Sequence, residues 1–226
     1  MFLENFLKEE YTIIAIDFPE HGDTIWNDDF FSPDDLLQII HLLKPHPVEK
    51  ISILGYSMGG RIALHILQHY PETIDKIALI APDGLHVNFW YWLGTQTRAG
   101  NMLFKTTMNN PGWLFGLIKI VDATGTLNKS LLNFSRKFLS DEDERLMLYK
   151  RWTMMRYFRP KHNGILKALQ NENIKLKILF GKFDRVILSK RSSFLHGQKN
   201  VSVKIMDAGH NLLREKHANE IIQLLQ

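Results

Sequence analysis

The chain has 226 residues, 45% of them hydrophobic and 23% charged, enough for one globular domain with a sizeable core and room for an insertion. It contains no cysteine, which excludes disulfides, thiolate catalysis and cysteine-based zinc sites and fits a reducing, cytoplasmic setting. The net charge of +4 comes without a Lys/Arg-rich run, so nothing points to nucleic acid, and no apolar run approaches the ~18 residues of a membrane span.

The opening "MFLENFLKEE" is interrupted by Glu4 and Lys8, so it does not read as a signal peptide. The spacing of Phe2, Leu3, Phe6 and Leu7 instead predicts a short amphipathic helix over 2–9. "YTIIAIDF" (11–18) is an apolar run of strand length. "SPDDLLQIIHLLK" (32–44) predicts a helix with its own start: Ser32 as cap, Pro33 in the first turn, and Asp34 and Asp35 at the positive end of the dipole.

"ISILGY" predicts a buried strand, followed by a helix from Met58 to Tyr70 that Pro71 ends. Further strands are predicted at 76–82, 175–181 and 201–207, with a short helix near 189–196 and a closing helix over 217–225. Residues 86–170 break this alternation. They carry 13 Lys/Arg against 5 Asp/Glu and four tryptophans, with helices predicted at 129–138 and 141–158, the latter capped by Ser140. The expected fold is α/β: a mostly parallel sheet of about five strands flanked by helices, with a helical lid insertion. In domain terms, 1–85 and 171–226 form the core, and 86–170 form the lid.

The chemistry concentrates at "GYSMGG" (55–60). A strand-to-helix turn tight enough to project one side chain strains that residue and needs small neighbours. Gly55 and Gly59 supply them, with Gly60 adding slack. The G-x-S-x-G pattern between strand and helix is a nucleophile elbow, with Ser57 as nucleophile and the Met58 backbone N–H as an oxyanion donor. Serine needs a base, itself held by an acid. Asp184 in "GKFDRVI" and His210 in "DAGHNLL" each stand just past the carboxyl end of a predicted strand, the same sheet edge as Ser57.

Asp83 after "ALIAP" is the alternative acid, and Asp207 reads as a strand end. His21 reads as a loop-packing residue. His65 and His69 lie one helical turn apart, but no third ligand accompanies them, so no metal site is expected.

These motifs, in this order, resemble the α/β-hydrolase fold superfamily in its lid-bearing serine-hydrolase branch. "DFPEHGDT" (17–24) is similar to the family's D-x-x-G-H-G segment, with Glu20 where glycine is usual. "GYSMGG" matches the elbow, "ILFGKFDRVI" the acid segment and "DAGHNLL" the histidine loop. The resemblance implies a carboxylesterase-like hydrolase of EC class 3.1 without cofactor, cleaving an ester or related acyl bond, or a C–C bond, through an acyl-enzyme. Ser57 at the elbow, where dehalogenases and epoxide hydrolases of the fold need a carboxylate, argues against both of those. The alternative is a catalytically silent or ligand-binding member of the fold.

The small-molecule acyl substrate is expected to be apolar or aromatic, with Phe89, Trp90, Trp92, Phe104 and Trp113 as candidate pocket lining. In the family, two antiparallel strands and a central third strand precede the segment matching "YTIIAIDF", and the loop after the third supplies a second oxyanion N–H. This sequence opens at the helix that follows that loop. Either 11–18 pairs directly with "ISILGY", or another chain fills the gap, or the natural N-terminus is missing; the expectation is the last.

Overall fold

The computed structural model describes residues 2–44, 50–123, 139–172 and 174–226. Its chain packs as two units: Met1–Ala15, Pro33–His86 and Phe158–Gln226 form one, Ile16–Ser32 and Val87–Tyr157 the other. The predicted helix at 129–138 lies outside the described residues.

The first unit is built on four parallel strands in the order of the chain: β1 (Ile51–Tyr56), β2 (Ile74–Ile80), β3 (Lys175–Gly181) and β4 (Val201–Met206). The last four residues of β2 and of β3 are buried without alternation, as expected where helices cover both faces. Pleating sends alternate residues to opposite faces. Ala78 and Ile80 join Leu3 and Leu7 of helix α1 (Glu4–Leu7) and Ile221 and Leu224 of the C-terminal helix (Ala218–Leu225) in one core cluster. Ile77 and Leu79, which alternate with them along the strand, face the other side. There helix α3 (Met58–His69) buries Ile62, Ile66 and Leu67, with Ile165 and Leu169 of helix His162–Glu172 also buried. Helix α2 spans Pro33–Leu43, starting at the predicted proline.

The fifth predicted strand does not form. Residues 11–18 have no regular secondary structure and join no ladder among the described residues, and Thr12, Ile14, Ala15 and Asp17 are exposed. A β-branched apolar run becomes a strand only beside a partner that takes up its backbone N–H and C=O groups. Direct pairing of this run with β1 is not seen, and β1 is an edge of the described sheet. Tyr11 instead donates its hydroxyl to Leu225 O at 3.1 Å, joining Lys76, whose Nζ reaches the same carbonyl at 2.7 Å. The last turn of the C-terminal helix is capped in this way.

In the second unit, helices α4 (Phe89–Gln96), α5 (Arg98–Asn109), α6 (Gly112–Ala123) and α7 (Glu142–Met154) provide the framework. The cap of α7 is Asp141, whose carboxylate accepts from Glu144 N at 3.1 Å, and not Ser140. Tyr91, Phe104, Tyr149 and Trp152 stack edge to face or tilted at 5.1–5.6 Å inside this unit. Glu20, in the position where the resemblance calls for glycine, has φ 64°. The left-handed backbone explains the usual glycine. Here Arg151 donates Nε–H to Glu20 O at 2.9 Å, and Lys150 pairs with the Glu20 carboxylate at 3.5 Å.

Candidate active site

Register places Tyr56 opposite Ile80, Ile80 opposite Leu179, and Gly181 opposite Met206, so the carboxyl ends of all four strands share one rim. Every predicted member of the serine–histidine–aspartate set leaves the first unit's sheet at that rim.

Ser57 sits between β1 and α3 with φ 49° and ψ −113°, a conformation that L-residues adopt only under constraint. Three hydrogen bonds constrain it. Ser57 N donates to Ile80 O at 3.0 Å, while Ser57 O accepts from Gly60 N at 3.0 Å and from Asp83 N at 2.8 Å. The glycines divide their roles differently from the sequence expectation. A Cβ at Gly55 would lie 2.8 Å from Gly59 O, and one at Gly60 would lie 2.5 Å from Pro82 Cβ, whereas one at Gly59 meets nothing within 4 Å. Gly60 is therefore a packing contact between α3 and the chain leaving β2, not slack.

Asp184 begins the turn after β3 and is buried, its side chain fully shielded from solvent. A carboxylate removed from water needs compensating donors. Its Oδ1 accepts from Val186 N at 2.8 Å and Ile187 N at 2.9 Å, and its Oδ2 accepts from His210 Nδ1 at 2.8 Å. That bond fixes the imidazole tautomer with Nε2 as acceptor. His210 Nε2 then lies 3.2 Å from Ser57 Oγ, within reach for a hydroxyl donor. The structure thus brings Ser57, His210 and Asp184 together, and the Met58 N–H heads α3 with no carbonyl one turn before it inside the helix.

Asp83 stands elsewhere. Its carboxylate pairs with buried Arg61 and accepts from Gly84 N at 2.7 Å. Asp207 is exposed and pairs with Lys182 at 3.0 Å.

Two contributors escaped the sequence reading. Tyr56, the residue before the elbow, donates its hydroxyl to His210 O at 3.2 Å, with its ring 5.5 Å from the imidazole. Burial first, and the Asp184 charge second, push the Tyr56 phenol up against a smaller opposing effect of Arg214, so it serves as a neutral donor. Gly181 ends β3 where a methyl group would overlap the carbonyls of Ala208 and Gly209. The histidine loop closes over the strand end because that side chain is missing. A glycine ending a buried strand was the available signal.

His21 Nδ1 lies 3.0 Å from Pro19 O in its own loop. His65 Nδ1 accepts from Arg159 N at 3.1 Å, which uses the lone pair a metal would need. Among the described residues no group of three His, Cys, Asp or Glu side chains could hold a metal ion, and no helix is long and apolar enough to cross a membrane.

The candidate pocket aromatics all fall in the second unit. Phe104 packs inside it against Tyr149 and Trp152. Phe89, Trp90, Trp92 and Trp113 are exposed, at 60%, 73%, 43% and 49%.

A parallel sheet with a strained serine at its carboxyl rim, held beside a histidine and a buried aspartate, is the architecture of an alpha/beta hydrolase fold. The sequence profile of that family matches residues 2–213, and the chain belongs to it. It is 23% identical over 220 residues to the protein described as uncharacterized hydrolase YugF of Bacillus subtilis, covering 93% of this chain and 77% of that one. A shorter match, 30% identical over 105 residues, covers 45% of this chain and 28% of the dihydrolipoyllysine-residue acetyltransferase component of the acetoin cleaving system of Pseudomonas putida. The fold is also similar to that of a thermophilic esterase from Thermogutta terrifontis, with a TM-score of 0.65 at 17% identity, covering 99% of this chain and 83% of the esterase.

Proposed function

We propose that the protein is a serine hydrolase that cleaves an ester or related acyl bond through a covalent acyl-enzyme. The observation that carries this reading is the continuous chain of hydrogen-bonding distances from Ser57 Oγ to His210 at 3.2 Å and from His210 to Asp184 at 2.8 Å.

Ser57 attacks the substrate carbonyl as His210 Nε2 takes its proton, and Asp184 holds the imidazole and stabilises the imidazolium that forms. The Met58 N–H stabilises the oxyanion. The imidazolium then gives its proton to the departing alcohol. In the second half, His210 activates a water that attacks the acyl-enzyme, and Ser57 regains its proton. An apolar or aromatic acyl group is the proposed substrate class, and the helices of the second unit are the candidate lid.

Incubation with a fluorophosphonate followed by mass spectrometry tests the nucleophile. A single adduct on the peptide carrying Ser57, lost in His210→Ala, is the expected result. A folded protein that never labels would assign the fold to a silent or ligand-binding role.

A further inference from the structure

From Gly84 to Val121 the sequence contains no aspartate or glutamate, while Arg98, Lys105 and Lys119 are its lysines and arginines. The same stretch forms helices α4, α5 and α6 of the second unit and leaves large apolar side chains in water. Asn88 caps α4 by accepting from Trp90 N at 2.9 Å. The short helix so started holds Phe89, Trp90 and Trp92 as one exposed cluster, the Phe89 ring 5.4 Å from Trp90 and 6.2 Å from Trp92. On α5 the exposed residues Arg98, Met102 and Lys105 recur at helical spacing, placing a cation on either side of a methionine that is 69% exposed. On α6, Trp113 and Ile120 lie two turns apart and are 49% and 68% exposed.

Scattered exposed apolar residues are ordinary, but a tryptophan-rich cluster of this kind is not, because keeping it wet forfeits the free energy of its burial. What would cover it follows from its composition. Lysine is depleted at protein–protein contacts, whereas the headgroup layer of a bilayer accommodates indole rings and the cationic ends of Lys and Arg together. A stretch without aspartate or glutamate suits anionic headgroups. A 12-residue helix is ~18 Å long, too short to cross a ~30 Å hydrocarbon core, so contact is in the plane of the surface.

We infer that the exposed side chains of α4 and α5, Phe89, Trp90 and Trp92 on the first and Arg98, Met102 and Lys105 on the second, dock the second unit on an anionic lipid surface. This inference does not depend on the hydrolase reading, and the Ser57→Ala full-length protein serves for its test.

The experiment measures co-sedimentation with vesicles of equal phosphatidylglycerol and phosphatidylcholine, against vesicles of phosphatidylcholine alone, together with tryptophan quenching by brominated lipid. Binding to the anionic vesicles with quenched emission is expected, weakening at high salt. Phe89→Ser with Trp90→Ser should weaken it by at least about ten-fold, and Arg98→Gln with Lys105→Gln on the order of 10- to 30-fold. These positions are exposed, and the quenching of the unsubstituted surface stands independently of whether either variant folds. Protein that stays in the supernatant with anionic vesicles at low salt would overturn the inference, as would binding that neither double substitution reduces. A dimer that Phe89→Ser with Trp90→Ser dissolves, without vesicle binding, would assign the surface to a second copy of the chain.

Discussion

Asp184 and Asp83 each follow a buried parallel strand, and what separates them is the turn each begins. Asp184 folds back so that two backbone N–H groups occupy Oδ1, leaving Oδ2 for His210, while Asp83 turns its carboxylate to Arg61 and Gly84 N. Asp184→Asn should therefore lower turnover by about 10⁴-fold through loss of the imidazole's orienting partner, with the fold intact. Asp83→Asn should act on stability instead. Arg61 is 7% exposed, and weakening its ion pair should cost up to about 3 kcal/mol while turnover per folded molecule changes little. Steady-state rates beside thermal melts of both variants separate these outcomes, and the opposite pattern would exchange the two aspartates. The sequence located both carboxylates at the right rim because strand ends can be read from apolar runs. It put Asp184 first and Asp83 as the alternative from strand position and motif resemblance alone, since loop hydrogen bonds have no periodic signal.

At the level of elements, the junction of β1 and α3 makes the sharpest claim about glycines. Gly60→Ala drives a methyl into Pro82 and should destabilise the protein by about 1–3 kcal/mol. Gly59→Ala enters open space within a helix and should be neutral or stabilising by up to ~1 kcal/mol. Equal losses in the two variants, measured by chemical denaturation, would remove this division of labour. The motif pattern made Gly59 the required position and Gly60 the spare one, the reverse of what the packing shows. Their difference comes from Pro82, more than twenty residues away, which a local reading cannot see. The same limit explains residues 11–18: Ile13 and Ile14 have strand-forming side chains, but a strand is a pairwise object and its partner is not in the run itself. The four strands that did form were legible because each carries an apolar or alternating run bounded by a turn or a helix start.

For the molecule as a whole, α3 carries a built-in sensitivity to acid. Burial first, and the neighbouring His69 second, lower the His65 pKa from 6.5 to about 4. The folded protein thus resists a proton that the unfolded chain accepts. The associated stability is fully present above about pH 6.5, declines as the pH falls, and is lost by about pH 4. Melting temperature followed across that window should fall, and His65→Gln, which keeps an acceptor for Arg159 N, should flatten the decline. A variant with the unchanged pH profile would locate the acid sensitivity elsewhere. Charge is also distributed unevenly over the chain: the 13 Lys/Arg against 5 Asp/Glu of residues 86–170 exceed the whole molecule's net +4, so the remainder is acidic on balance. Association with anionic surfaces should accordingly be a property of the insertion.

The φ of 49° at Ser57 has a further implication. Its backbone occupies the mirror image of an ordinary extended conformation, a region that is comfortable for an achiral residue and for no other. Ser57→Gly should then melt later than the parent protein, by about 1 kcal/mol of added stability, while losing all capacity for covalent labelling. Relief of the backbone and loss of the hydroxyl would come in the same substitution, so the strain at this position and its proposed chemistry can be measured against each other in one variant.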